Sequence, residues 1–246
     1  MSRVAALAFA EARLLTRDVT VLVFAFLFPT FVMLILAGVY GSSNLHYSFG
    51  YQRPDDYYTT ASIAVPAIAL SLIGMPVALA SYRESGVLRR LEAFGVSTAK
   101  VVTAQAVVTG GLIVIGAAVV LAVATPTYGL PAVADPVGTV VGALAGVAVL
   151  LALGVTVGLA APTARSAQGI GLALFFPLFL LGGGGPPRGA MPGPMQTISD
   201  ALPSPIHAIT EPWLGTEGVS ESLAVLAAWG AIAAVALTYL TRRRPA

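Results

Sequence analysis

The stretch SYRESGVLRRLEAFGVSTAK, Ser81 to Lys100, holds six of the chain's twenty-four charged residues: Arg83, Glu84, Arg89, Arg90, Glu92 and Lys100. It is flanked by TTASIAVPAIALSLIGMPVALA (Thr59 to Ala80) and VVTAQAVVTGGLIVIGAAVVLAVA (Val101 to Ala124), which carry no charge at all. Each flank has the roughly 20 apolar residues that cross about 30 Å of hydrocarbon. The charged island is therefore a loop between two membrane spans, and the side on which it lies sets the topology.

The rest of the chain repeats the pattern. It is 57% hydrophobic and 10% charged, with a mean hydropathy of +0.87, whereas soluble domains carry about 25% charged residues. Long uncharged runs predict six spans: Val19 to Val39, Thr59 to Ala80, Val101 to Ala124, Val137 to Ala160, a short fifth at Ser166 to Leu181, and Ser222 to Leu240. Continuous apolar runs, with no alternation, disfavour a β-barrel. The expected fold is all-α and polytopic, one six-span transmembrane domain over residues 1–246.

Orientation follows from the basic residues. With the N-terminus inside, Arg3, Arg13, Arg17, Arg83, Arg89, Arg90, Lys100, Arg165, Arg242, Arg243 and Arg244 face the cytoplasm, and only Arg53 and Arg188 face outward. The positive-inside rule thus predicts both termini inside. Residues 1–18 have their apolar run broken by Glu11, Arg13, Arg17 and Asp18 and show no cleavage signal, so they read as an interfacial lead-in helix or a plain juxtamembrane segment. The long outer connector, 182–221, opens with GGGGPP but retains Met191, Met195, Ile198, Leu202, Ile206, Ile209, Trp213 and Leu214. It is expected to fold back against the outer ends of the spans.

Several chemistries are excluded or unsupported. Cysteine is absent, so there are no disulfides or thiolate sites. The six predicted spans hold no Asp, Glu, Lys, Arg or His, and hence no ionisable relay of the kind ion-coupled carriers keep at membrane depth. His46 and His207, the two histidines, fall in outer loops with no serine to activate. GxxxxGK[ST] is missing, since Gly182 to Gly185 run into Pro186 and Pro187. Pro29, Pro66, Pro76 and Pro177 permit kinks or breaks within spans. Glycines at 138, 142, 146, 154 and 158 turn through about 200° at 100° per residue, so the fourth span is expected to pack on two opposite sides.

Within the charged island, Val87, Leu88, Leu91 and Phe94 make one apolar stripe of a short helix, with Arg83, Arg89, Arg90 and Glu92 off it. Gly95 suits its C-terminal cap, and Ser97 the start of span three. A bare topological signal needs neither the acids nor the stripe. A docking helix for a cytoplasmic partner accounts for both.

These residues resemble a known family. Tyr82-Arg83-Glu84-Ser85-Gly86-Val87-Leu88-Arg89-Arg90-Leu91, then Gly95-Val96-Ser97 and Gln105, is similar to the "YRE-x-G-T-L-R-R-L … P-V-S … Q" segment of ABC type 2 export permeases, the daunorubicin-resistance-like membrane subunits. Val87 stands at the usual Thr and Gly95 at the usual Pro. Phe176-Pro177-Leu178 with Gly182, then Met191-Pro192-Gly193, Gln196-Thr197-Ile198 and Pro203 to Ala208, resembles the family's segment after span five, with Pro194 at the usual Trp and His207 near the usual Tyr. The resemblance implies the membrane half of an ATP-driven exporter of hydrophobic or amphipathic compounds in a bacterial inner membrane. It implies a coupling loop over 81–98, with Arg83, Glu84, Gly86, Leu88, Arg89, Arg90 and Leu91 seating in the ATPase, and Arg13 and Arg17 on an interfacial helix. It further implies re-entrant exit helices over 182–221 with Pro177, Met191, Pro192, Gly193 and Pro203, and a cargo path lined by spans two and five. The partners implied are two cytoplasmic ATPase subunits carrying ATP and Mg, a second permease copy or paralog, and membrane lipid. No cofactor, metal or nucleic acid is expected on this chain. The other function classes that fit the residues are a secondary carrier or channel without an ATPase, and a membrane scaffold or sensor.

Overall fold

The computed structural model describes residues 19–41 and 47–242. Arg13, Arg17, His46, Arg243 and Arg244, and the lead-in over residues 1–18, lie outside the described residues. Among those described there is no β-strand. Six helices have the length and apolarity to cross a membrane: α1 Val23–Tyr40, α2 Pro54–Glu84, α4 Thr98–Tyr128, α5 Pro136–Ala160, α6 Ala164–Gly184 and α9 Val219–Arg242. Between them lie α3 Val87–Ala93 in the charged island, and α7 Gly193–Ala201 and α8 Pro205–Leu214 in the outer connector. The chain is thus an all-α, multi-pass membrane protein.

Span two is the hub. In α2, 83% of the most apolar window is buried inside the chain, against 11% in α9. Around α2 pack α1, α4, α5, α6 and α8, while α9 lies against the outer flank of α5. Span two is enclosed by its own chain, whereas span five exposes Ile170, Leu174, Phe176 and Leu180. An aromatic cluster of Phe24, Phe28, Phe175 and Phe179 joins α1 to α6 at ring separations of 5.2 to 5.8 Å.

Two prolines explain local widenings of the helices. Proline lacks an N–H and its ring crowds the carbonyl four residues back. In α1 and α2 those carbonyls belong to Ala25 and Leu72, and each lies in a π turn, Val23–Leu27 and Leu70–Gly74. The kinks are therefore relieved by one extra residue per turn, not by an unwound break. The buried Ser71 and Leu72 carbonyls meet Gly154 of α5 and Gly171 of α6 in backbone contact closer than any side chain permits.

The glycine face of span four behaves as its periodicity predicts. Gly138, Gly142 and Gly146 face Pro212, Ala208 and Pro205 of α8, and Gly154 and Gly158 face Ser71, Pro76 and Leu79 of α2 on the other side. The order runs opposite in the two helices, so α8 is antiparallel to α5. It starts opposite Gly146, the eleventh residue of α5, which at 1.5 Å per residue is about 15 Å in from the outer end. The connector therefore re-enters the bundle to about half its depth.

Candidate functional site

At the cytoplasmic end, the charged island divides its residues between two tasks. Arg83, at the last turn of α2, donates from Nη1 to the carbonyls of Leu159 and Ala161, the latter at 2.9 Å. These are orphan acceptors at the C-terminus of α5, where a cation is favoured by the helix dipole. Glu84 Oε2 accepts from the Ala164 N–H at 2.9 Å, the N-terminal end of α6, where an anion is favoured. The adjacent pair thus ties the 161–163 turn to span two from both sides. The Thr163–Ser166 capping box completes that turn.

The helix that follows is displayed outward. Gly86 sits at φ 71°, a left-handed conformation that lets the chain turn sharply from α2 into α3. At the other end of α3, the Gly95 N–H reaches the Glu92 carbonyl at 2.9 Å and the Val96 N–H reaches the Leu91 carbonyl at 2.9 Å, the paired bonds of a Schellman cap. Leu88, Val96 and Val101 bury together with Tyr82 and Leu91 alongside. Arg89 and Arg90 are exposed, Arg90 Nη2 reaching the Ser85 carbonyl at 3.3 Å, and Phe94 is 79% exposed. Ser97 stands at the start of α4 but makes no side-chain cap; Thr98 Oγ1 instead donates to Glu92.

At the outer end, span five finishes in a π turn, Leu180–Gly184, in which Gly183 adopts φ 102°, closed to most residues with a Cβ. Irregular backbone survives at membrane depth only where its polar groups are satisfied by protein. Here Ser199 donates to the Leu181 carbonyl, Ser204 to Gly182 at 2.7 Å, Tyr57 to Gly183 at 2.9 Å and Tyr58 to Gly185 at 3.1 Å. The GGGG run is a backbone acceptor strip, read by the re-entrant segment and by span two.

Residues 2–206 match the model of the ABC-2 type transporter family. The chain belongs to that family. No curated protein and no solved structure matches it. It is an ABC transporter permease, and the charged island and re-entrant segment are the two places where its polar chemistry concentrates.

The permease brings the predicted coupling residues into one loop but gives them different duties. Arg83 and Glu84 bond back to the turn between α5 and α6, Glu84 from an exposed position, Leu88 and Leu91 anchor α3, and Arg89 and Arg90 remain outside. Of the predicted exit residues, Pro177 lies on the exposed side of α6, away from the connector's contacts. Met191 and Pro203 are buried, while Pro192 and Gly193 start α7, the Pro192 carbonyl accepting from the Met195 N–H at 2.9 Å. Apolar Met195 and Ile198 of α7 stay half-exposed.

The sequence reading missed a polar cluster beside the connector. His207 is carried on the re-entrant helix and is not a loop residue. With Tyr57, Thr210, Glu211 and Glu217 it lines a cleft of about 200 Å³, and an adjoining cleft of about 190 Å³ adds Asp200, Glu221 and Ser222. Burial raises the Glu211 carboxyl to about 7, opposed by the hydrogen bond from Ser222 Oγ and aided by Glu217 and Glu221. Arg188 and Asp200 form a bidentate pair, with Nη2 to Oδ2 at 2.7 Å, and the pairing lowers the Asp200 carboxyl. The only sequence trace of this cluster is the excess of acids outside, which orientation rules discount.

Proposed function

We propose that this permease is the membrane subunit of an ATP-driven exporter in a bacterial cell membrane, moving a hydrophobic or amphipathic compound outward. Two separate cytoplasmic ATPase subunits carry ATP and Mg, and this chain binds no cofactor of its own. Two permease chains, identical or paralogous, enclose the path, with the open face of span five at their boundary.

The observation that carries the reading is α3. A short helix is capped at its C-terminus, anchored by Leu88, and leaves Arg89, Arg90 and Phe94 exposed at the basic end. An exposed aromatic flanked by arginines is the composition of an interface hot spot. Phe94→Asp and Arg89→Glu are expected to abolish co-purification with the ATPase and ATP-dependent export, while the permease stays folded. Full ATPase association and export in both variants would overturn the coupling role, and export without any ATPase would assign the chain to secondary carriers or channels.

A further inference from the structure

The cleft between α2, α8 and the start of α9 is built as a receptor. Glu211 and Glu217 line both it and the adjoining cleft, Glu221 lines the adjoining one, and the one cation, Arg188, is already engaged by Asp200. Thr210, only 3% exposed, and His207 both line the cleft, and Thr210 Oγ1 and His207 Nε2 are buried without a hydrogen-bond partner. Leaving a buried polar atom without a partner is costly, so these atoms mark where a guest would be held.

We propose that this cleft binds a protonated primary amine. An ammonium has three N–H donors and no acceptor. It thus complements a site where Glu211 and Glu217 meet a hydroxyl and an imidazole edge, with Glu221 in the adjoining cleft, and where an anion would face uncompensated repulsion. Glu211 is the principal acceptor because it is the least exposed carboxylate and Ser222 Oγ already orients it. The cleft's volume of about 200 Å³ admits a small amine or the amine-bearing end of a larger molecule. No cluster of His, Asp and Glu with metal-ligand geometry occurs among the described residues. The proposal concerns binding alone and does not rest on export.

The ammonium group could be presented by a free solute or by an ethanolamine lipid headgroup. The test uses full-length permease in phosphatidylcholine nanodiscs, titrated calorimetrically with n-butylamine and with n-butanol. Saturable binding of butylamine and none of butanol at pH 8 is expected. About tenfold or greater weakening is expected in Glu211→Gln and in Thr210→Val, with no change in Gly110→Ala, where an added Cβ meets nothing within 4 Å. Affinity should fall between pH 8 and pH 5.5 as Glu211 takes up a proton. Arg188, Asp200, His207, Glu217 and Glu221 also face the site, so the fall must vanish in Glu211→Gln to be assigned. Repeating the titration in phosphatidylethanolamine discs separates the sources: an apparent affinity reduced by competition assigns the headgroup, and an unchanged one assigns a solute. Absence of saturable butylamine binding, equal binding of butanol, or undiminished affinity in Glu211→Gln overturns the proposal.

Discussion

Replacing Arg83 by Met removes a charge but keeps an unbranched apolar stem. Its Nη1 makes two close bonds, to the Leu159 and Ala161 carbonyls, and a longer one to Gly158 at 3.5 Å. Hydrogen bonds from charged groups contribute about 1.5–3 kcal/mol each. Arg83 is only partly buried, so the lower figure applies to each close bond and the longer one adds little. The expected loss is about 3 kcal/mol, or roughly 6 to 12 °C in melting midpoint at 2–4 °C per kcal/mol for a chain of this size. Arg89→Met removes the same charge from an exposed position in the same loop and should cost no more than about 0.5 kcal/mol. The assay is thermal unfolding of both variants in one detergent, with amide exchange followed at Ala161 and Ala164. Exchange at Ala161 should accelerate in Arg83→Met alone, and exchange at Ala164 in Glu84→Gln. Equal melting shifts for Arg83→Met and Arg89→Met would show that the inward bonds carry nothing and that both arginines serve the surface.

Three further outcomes are expected. A carboxyl whose folded-state value is raised from 4.5 to about 7 stabilises the fold below pH 4.5 relative to above 7, by about 3 kcal/mol at 1.36 kcal/mol per unit. Stability should therefore fall as pH rises from 5 to 8 in the wild type and stay flatter in Glu211→Gln; parallel melting curves would refute the assignment. Gly142→Ala forces a Cβ into the Ala208 carbonyl and should cost about 1–3 kcal/mol by overpacking, whereas Gly110→Ala meets nothing within 4 Å and should be neutral or stabilising by up to about 1 kcal/mol; equal melting shifts in the two would sink the packing argument. Gln105 is fully buried with both amide atoms unpartnered, so Gln105→Leu should raise the melting midpoint by the equivalent of about 1–3 kcal/mol, and a lowered midpoint would mean the amide is satisfied in the membrane.

The six spans were legible because apolar length is a local property of the sequence. Their ends were less so. Span two begins at Pro54, not Thr59, since Pro54 in the first turn and Asp55 and Asp56 beside the helix N-terminus are start signals as well as loop residues. Span five looked short because its last turn is a π turn through glycines, which reads as loop composition. The stripe and cap of α3 were readable from spacing alone. The duty of Arg83 was not, because its acceptors lie 75 to 78 residues away in sequence and an arginine at a span end looks the same whether it faces a helix terminus or a partner. The outer cleft escaped for the same reason: Tyr57, Glu211 and Ser222 converge only after α8 re-enters the bundle, and no local motif announces their meeting.

Span four joins the two polar ends. Its 25 residues make a rod of about 37 Å. Arg83 holds its cytoplasmic carbonyls, the π turn of α2 abuts Gly154, and Gly138, Gly142 and Gly146 seat the re-entrant helix that carries His207, Thr210 and Glu211. Close-packed glycine contacts leave no side chain to flex, so a shift of α5 at the Arg83 end must be passed to α8 or open a void beside it. A force applied to the loop bearing α3 therefore has a contiguous, stiff route to the outer cleft. Cutting that route at Gly142 should uncouple the two ends while leaving α3 and its exposed arginines in place.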